Sequence, residues 1–424
     1  MTGSPTQARI PIGRELPLDV LLLRDVPTEQ RLSMERFADA LEEGFRGDGD
    51  LCLRALSIRE SSLAHRIGLG RVDRYKTRYI SYPRVASQTR AHVYHIVDHG
   101  YADLARKLPV DQTIATCHDL MLLRAQESDV GFRARRALVA RFRWSTSYLR
   151  RLAHVVCDSA ATMRDAERFC GVRNERMSVI QPGVSRTFRK LSAPRRAQIR
   201  AALARPDERI ILSVSTGHGY KNTTGVLRVV SALRLEGLPV NLICVGRGLN
   251  DSERLLARSL GLDSVIRETG IVSEERLVEL YNVGDILLFP SFHEGFGWPP
   301  LEAMSCGTPV VASRAPSVAE VVCDAGLLED ARDTAALTRA VRSVLTSAEL
   351  ASRLSTRGMA RAGFLSWRRA IASYRQIYEQ LIAAHEKERE RDLSDRRRNG
   401  PHDLRMETEL ARLRPIERST EAGR

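Results

Sequence analysis

The sequence predicts an α/β protein made of two doubly wound halves, each built on a parallel sheet. Three observations carry that reading. At 424 residues the chain has room for two domains of ordinary size, and with 43% apolar and 28% charged residues its composition is globular. Short apolar runs alternate with amphipathic stretches twice over, one series beginning at Leu18 and the next at Ile210. The stretch from Asp285 to Ser313, DILLFPSFHEGFGWPPLEAMSCGTPVVAS, shows one repeat unit in full: buried strand, glycine-punctuated loop, helix, buried strand.

In the first series, Leu18 to Leu23 reads as a buried strand. Ser33 is placed to cap a helix to about Phe45, with Met34, Phe37, Ala38 and Leu41 on one face. Leu51 to Leu56 is the second strand, and Gly47–Asp50 (GDGD) before it reads as a turn rather than a metal-binding DxD. His92 to Val97 is a further strand, with Asp98-His99-Gly100 in the loop after it. Strand alternation puts His92 and His95 on opposite faces, which argues against one metal ion shared by the histidines at 92, 95 and 99. Thr113 to Cys117 follows, with His118-Asp119 just past its carboxyl end, the edge where open α/β sheets bind ligands. Residues 132–152 read as one helix, with Leu138, Phe142, Leu149 and Leu152 facing inward. Arg133, Arg136, Arg143, Arg150 and Arg151 lie opposite, with Phe132 and Trp144 nearby. Val155 to Ser159 gives a strand and a helix cap, and Met177 to Gly183 the last strand of this half.

The second series has strands at Ile210–Val214, Val240–Val245, Ser264–Arg267, Ile286–Phe289 and Val310–Ala312. From Asp330 to Phe364 the pattern is helical, and Trp367 to Ile382 is a further helix. Within the Asp285–Ser313 unit, Pro290 and Ser291 end the strand. A helix starts at Pro299 or Pro300, because proline in the first turn forfeits no hydrogen bond. Gly307 and Pro309 close that helix. Small loop residues let backbone N–H groups approach an anion, and the helix dipole favours it. Glu294 and Glu302 flank the loop with seven residues between them, each suited to accept hydrogen bonds from vicinal hydroxyls. An anion site between two hydroxyl-binding carboxylates fits a nucleotide sugar.

These residues resemble the signature of the retaining GT-B glycosyltransferases of the group 1 family. Their E-x7-E pair brackets a GFG-x-P-x-LEAM loop and helix, found here as EGFGWPPLEAM followed by GTPVVAS. Val179-Ile180-Gln181-Pro182-Gly183-Val184 is similar to the family's V-I-P-N-G-V, and 215–222 to its G-[RT]-x4-K-[NG] phosphate loop. Ser215 stands where a glycine is usual, and Thr216 where many members carry arginine, so Arg247 or His218 would have to supply a second cation beside Lys221.

The resemblance implies two Rossmann-like doubly wound domains facing a cleft, with a closing C-terminal helix crossing back to the N-terminal domain. The expected divisions are a loose leader over 1–16, an acceptor-binding domain over 17–190 and a nucleotide-sugar domain over 191–365. A crossover helix over 366–385 and a charged, mobile tail over 386–424 complete them. The implied donor-binding residues are Thr216, Lys221, Arg247, Ile271, Val272, Glu294, Gly295, Phe296, Gly297 and Glu302, the first hydrophobic pair meeting the nucleobase through their backbone. His118 and Glu294 take catalytic roles at the sugar, and Asp98 and His99 lie on the acceptor side. The implied reaction moves a hexosyl unit to a hydroxyl of a glycan, glycolipid or polysaccharide precursor, giving an α linkage without metal or cofactor. A nucleotide-sugar epimerase on the same fold and an inactive glycan-binding subunit remain alternatives.

Composition adds bounds. Net charge is +14, but only five of the 66 basic residues are lysine, at 76, 107, 190, 221 and 387. So uniform an arginine skew points to genome composition before function, and with 5% aromatics and no recognisable motif a nucleic-acid partner is not expected. Seven scattered cysteines without ligand spacing fit reduced thiols in the cytoplasm. No apolar run reaches membrane-spanning length and the start lacks a signal-peptide pattern. For a lipid-linked acceptor, Arg136, Arg143 and Arg150 would face an anionic membrane surface.

Overall fold

The structure is a computed structural model that describes residues 17–27, 32–59, 70–124, 136–215 and 217–399. Two six-stranded parallel sheets organise it. The first runs in the order β2-β1-β3-β4-β5-β6, from Leu18–Leu23 (β1), Leu51–Leu56 (β2), Val93–Ile96 (β3), Thr113–Cys117 (β4), His154–Cys157 (β5) and Met177–Val179 (β6). The second runs β12-β11-β10-β7-β8-β9, from Arg209–Ser215 (β7), Val240–Gly246 (β8), Ile266–Gly270 (β9), Ile286–Phe289 (β10), Val310–Ser313 (β11) and Leu327–Glu329 (β12). The strand order of the second sheet reverses between β7 and β10. Ligands of open α/β sheets bind at such a switch point, outside the carboxyl ends of the strands.

The strands follow from their residues. β3, β4, β10 and β11 are buried along their whole length and β1 over its last four residues, as strands covered by helices on both faces must be. β12 was not legible in the sequence, because Leu327-Leu328-Glu329 is three partly buried residues at a sheet edge. β9 begins two residues later than the sequence pattern places it, at an edge where burial imposes little periodicity.

The chain returns to its first domain as the resemblance implies. Helix Trp367–Asn399 packs Ala370, Tyr374, Ile377, Tyr378 and Ile382 against Val20, Leu22, Phe37 and Leu41. Its Tyr378 hydroxyl lies 2.8 Å from His95 Nδ1, and Tyr374 bonds Thr116 at 3.1 Å, so the crossover also satisfies buried polar groups. Gly183 makes the crossing possible: a Cβ there would stand 1.9 Å from the amide nitrogen of Trp367. The helix continues to Asn399, past the start of the expected mobile tail at 386. Glu, Lys and Arg are good helix formers, and a helix already nucleated by packing propagates cheaply through them. The leader at 1–16 and the end at 400–424 lie outside the described residues.

The expected helix over 132–152 is also different. It is a helix at Arg136–Thr146 followed by a separate 3-10 turn at Leu149–Arg151, and 132–135 lie outside the described residues. Leu149 and Leu152 are buried, but Leu138 is 38% exposed while Val139, Ser145 and Thr146 face inward. The break at Ser147-Tyr148 therefore interrupts the arginine row between Arg143 and Arg150. The seven cysteines are all unpaired, five buried and two, Cys52 and Cys323, exposed.

Candidate active site

The site is the cleft edge of the second sheet. β10 ends at Phe289, and the loop from Pro290 runs to Gly297, which takes φ of 118° and begins helix Trp298–Ser305. Such a φ suits glycine alone, and it turns the chain directly from loop into helix. Among the described residues, the amides of Glu294 through Gly297 donate to no protein acceptor. They stand at a helix N-terminus with their donors unused, which is how a backbone anion site is made.

The loop expected to hold phosphate lies beside it. After β7 the chain makes a 3-10 turn at Gly219–Lys221, and Asn222 in the left-handed region (φ 56°) caps helix Thr223–Leu235 through Gly225 N at 3.1 Å. Phe292 N donates to Tyr220 O at 2.8 Å, pinning the two loops together. Lys221 Nζ reaches Glu294 Oε1 at 2.7 Å, over the ring of Phe289, so the expected phosphate cation and sugar carboxylate neutralise one another here. Arg247, from the loop after β8, is exposed and lays its side chain over Gly217, so that a Cβ at Gly217 would meet Arg247 Cδ at 2.7 Å. Burial and the nearby Lys221 and Arg247 hold His218 below its ordinary pKa, which leaves Arg247 as the second cation of this loop. Thr216 lies outside the described residues. Ile271, just past β9, is 80% exposed toward solvent, and Val272 packs partly against the core.

Glu302 is deeper. It is buried, its Oε2 accepts from the Tyr281 hydroxyl at 2.9 Å, and Arg36 Nη1 from the first domain comes within 3.7 Å of Oε1. Burial pushes its carboxyl up to about 7, against the Tyr281 hydrogen bond and Arg36, which favour the ionised form. Neither Tyr281 nor Arg36 carried a signal in the sequence, one being a core aromatic and the other one arginine among many.

The first domain closes over this loop. A Cβ on Gly295 would stand 2.2 Å from His118 O, so glycine is required where the domains meet. The Gly295 carbonyl accepts from Ser159 Oγ at 2.9 Å and Thr162 Oγ1 at 3.2 Å. Glu320 of helix Pro316–Val322 accepts from the amides of Ala160 and Ala161, at 2.8 and 2.9 Å, capping helix Ala160–Cys170 across the interface.

His118 lies where its strand end predicts, but its ring points inward. Nδ1 lies 2.7 Å from Asp158 Oδ2 and Nε2 2.9 Å from the Val97 carbonyl. Both partners accept, so both ring nitrogens donate and the ring is an imidazolium. Burial opposes that charge, but Asp158, Asp98 and the Val97 carbonyl outweigh it and raise the group to about 9. Asp98 is fully buried and accepts from Gly100 N at 2.6 Å. His99 is buried and accepts from His118 N at 3.2 Å. Both are expected on the acceptor side, and in the fold these two hydrogen bonds also brace the loop behind His118. His92 and His95 go separate ways from His99, to Asp19 N and to Thr116 with Tyr378, and no cluster of three or more metal-ligating side chains occurs among the described residues.

Comparison with known proteins points to a family and a fold. Residues 195–361 match the family model described as glycosyl transferases group 1, and residues 47–188 the model of glycosyltransferase family 4. The O-antigen chain mannosyltransferase B of Escherichia coli is 36% identical over 174 residues, 40% of this chain and 45% of that protein. The MMP alpha-(1->4)-mannosyltransferase of Mycolicibacterium hassiacum is 30% identical over 239 residues, 55% of this chain and 56% of that protein. The chain thus spans about half the length of these relatives. Among solved structures, sucrose-phosphate synthase from Thermosynechococcus elongatus superposes with a TM-score of 0.69 at 20% identity, over 86% of this chain and 100% of that one. HepE from Anabaena, in complex with UDP and glucose, superposes at 0.66 and 18% identity, over 86% and 99%.

Proposed function

Because the chain belongs to the group 1 glycosyltransferases and has their GT-B fold, we propose that it transfers a hexosyl unit from a nucleotide sugar to a hydroxyl, with retention and an α-linked product. One observation carries the reading: Glu294, Glu302, Lys221 and the unused amides of the 294–297 loop converge at the switch point of the second sheet. In this assignment the donor diphosphate takes Lys221 from Glu294. It is held by Lys221, Arg247, the loop amides and the N-terminus of helix Trp298–Ser305, which together stabilise the negative charge of the departing diphosphate. Glu294, released from Lys221, accepts from hydroxyls of the transferred hexose. Glu302 Oε1 accepts from the ribose, and the backbone at Ile271 and Val272 meets the base. His118 works beneath the loop, where its backbone carbonyl packs on Gly295 and its charged ring fixes the strand ends of the first domain. No step in this assignment calls on a metal ion or cofactor, so activity is expected to persist in EDTA.

Mannose is the hexose to test first, being the sugar named for both relatives above. The acceptor side is read as a glycan or lipid-linked hydroxyl. No helix among the described residues is long and apolar enough to cross a membrane. A lipid-linked acceptor would therefore have to be met at a membrane surface, for which Arg136, Arg143 and Arg150 are the proposed contacts, beside the half-exposed Trp144. Thermal stabilisation by UDP-, GDP- and ADP-sugars, followed by product analysis with the donor that stabilises most, tests the proposal. An α-linked transfer product is expected. Conversion of the donor to an epimeric nucleotide sugar, or no stabilisation by any of the three, would overturn it.

A further inference from the structure

Glu302 belongs to the second domain, yet the one cation in ion-pair range of it among the described residues comes from the first. Arg36 projects from helix Leu32–Gly44 with Nη1 3.7 Å from Glu302 Oε1 and Nε 3.9 Å from Glu274 Oε2. The other titratable groups facing Glu302 do not replace it. Tyr281 donates its hydroxyl to Oε2. Glu274, at the start of the same helix as Tyr281, adds like charge. Cys306, one turn farther on at the end of helix Trp298–Ser305, is pushed up to about 12 by burial and by Glu302 and stays a neutral thiol. Oε1 accepts no hydrogen bond within the protein among the described residues and is the oxygen turned toward Arg36.

We propose that Arg36 is a positioning residue for donor recognition, which crosses from the acceptor-side domain to hold Glu302 as a carboxylate and so links nucleotide affinity to domain closure. The inference rests on the reading of Glu302 as the ribose ligand. A carboxylate offers both oxygens as acceptors to ribose hydroxyls; a protonated Glu302 offers fewer and accepts more weakly. Arg36 moves with the first domain, so any separation of the domains leaves Glu302 with Tyr281 and the repulsion of Glu274. Glu302 is pushed up to about 7 even with Arg36 present, so the closed arrangement sets its charge within the neutral range. By reciprocity, a nucleotide that needs the ionised form favours the closed arrangement to the same degree that closure favours the nucleotide.

The test uses the full chain with UDP and GDP as probes, titrated by calorimetry from pH 5.5 to 9. Wild-type affinity is expected to fall as pH drops through about 7. Arg36→Gln should move that midpoint to higher pH, so that binding at pH 7 weakens about fivefold if the midpoint moves to about pH 8, with the effect vanishing near pH 9. Arg36→Lys should restore most of the loss. In a Glu302→Gln background, Arg36→Gln should have no further effect, since there is no charge left to hold. An Arg36→Gln curve that overlays the wild type, or a loss equal at every pH and undiminished in the Glu302→Gln background, overturns the proposal. If Glu302→Gln itself leaves affinity unchanged, the ribose assignment has failed first, and this inference with it.

Discussion

The two domains share a sheet type and use their strand ends in opposite ways. In the second domain the groups past β7, β8 and β10 stand at the cleft: Lys221, Arg247, the 294–297 amides and Glu294. In the first domain the groups past β3 and β4 turn inward, with Asp98, His99 and His118 all buried. On the proposed reading the second domain, the donor half, is a preassembled binding surface, and the first, the acceptor half, presents mainly backbone, caps and one long arginine. What separates them is the origin of the contacts. A glycine loop and a helix N-terminus bind through local backbone, whereas His118, Asp158, Ser159, Thr162 and Arg36 meet the site only after the whole chain has folded.

The sharpest way to break this asymmetry is Lys221→Ala. If the donor half carries the diphosphate, turnover should fall about 10²- to 10³-fold, the usual cost of removing one preorganised donor from a developing charge. Steady-state rates across donor concentrations check it; a variant with wild-type turnover would remove Lys221 from the phosphate. Glu302→Ala comes next. Losing charge-assisted hydrogen bonds of about 1.5–3 kcal/mol each should weaken bare nucleotide binding some tenfold to several-hundredfold. Glu294→Ala should spare the bare nucleotide and lose affinity and turnover only for the sugar nucleotide. Calorimetry with both ligands on both variants separates the two carboxylates, and equal losses for both ligands would show that they share one role.

The same contrast decides what was legible in the sequence. The alternation of buried runs located eleven of the twelve described strands, and EGFGWPPLEAM located the loop proposed to bind the donor, because both depend on residues adjacent in the chain. Tyr281 against Glu302, Glu320 capping Ala160 and Ala161, and Arg36 across the cleft each join distant segments and leave no local pattern. The inward turn of His118 was hidden for the same reason: its position past β4 was readable, but its partners come from the ends of β3 and β5.

His118 tests the acceptor half through stability. Its raised pKa makes the folded state bind a proton that the unfolded chain releases near 6.5. Its contribution should therefore be fully present below about pH 6.5 and lost as pH rises through about 9. His118→Gln leaves the buried Asp158 without its ion-pair partner, and breaking a buried pair costs roughly 3–5 kcal/mol. Thermal unfolding between pH 6 and 10 should show a smaller alkaline loss in the variant than in the wild type. Parallel alkaline slopes would mean that His118 is neutral in the folded protein.

The smallest expected effect concerns the outer face of the first domain, and it asks whether that domain has a surface as specialised as the donor loop. Helix Arg136–Thr146 and the turn after it expose Arg136, Arg143 and Arg150 and contain no acidic residue. Trp144 is 39% exposed and sits against Tyr79 and Tyr148, with ring centroids 6.1 and 5.7 Å away. Val72, Tyr75 and Ile80, close to Tyr79 in sequence, are each more than half exposed. Apolar side chains beside exposed arginines fit an anionic lipid surface, where each basic residue contributes about 1 kcal/mol that salt removes. The competing account is that a chain with 61 arginines shows them on every solvated face, which predicts no preference for lipid. Co-sedimentation with phosphatidylglycerol vesicles at low and high salt, beside phosphatidylcholine vesicles, separates the two. Binding that requires the anionic lipid, weakens with salt and is lost in Arg136→Glu/Arg143→Glu/Arg150→Glu gives the acceptor half a docking face; absence of binding at low salt leaves the donor loop as the one specialised surface of the pair.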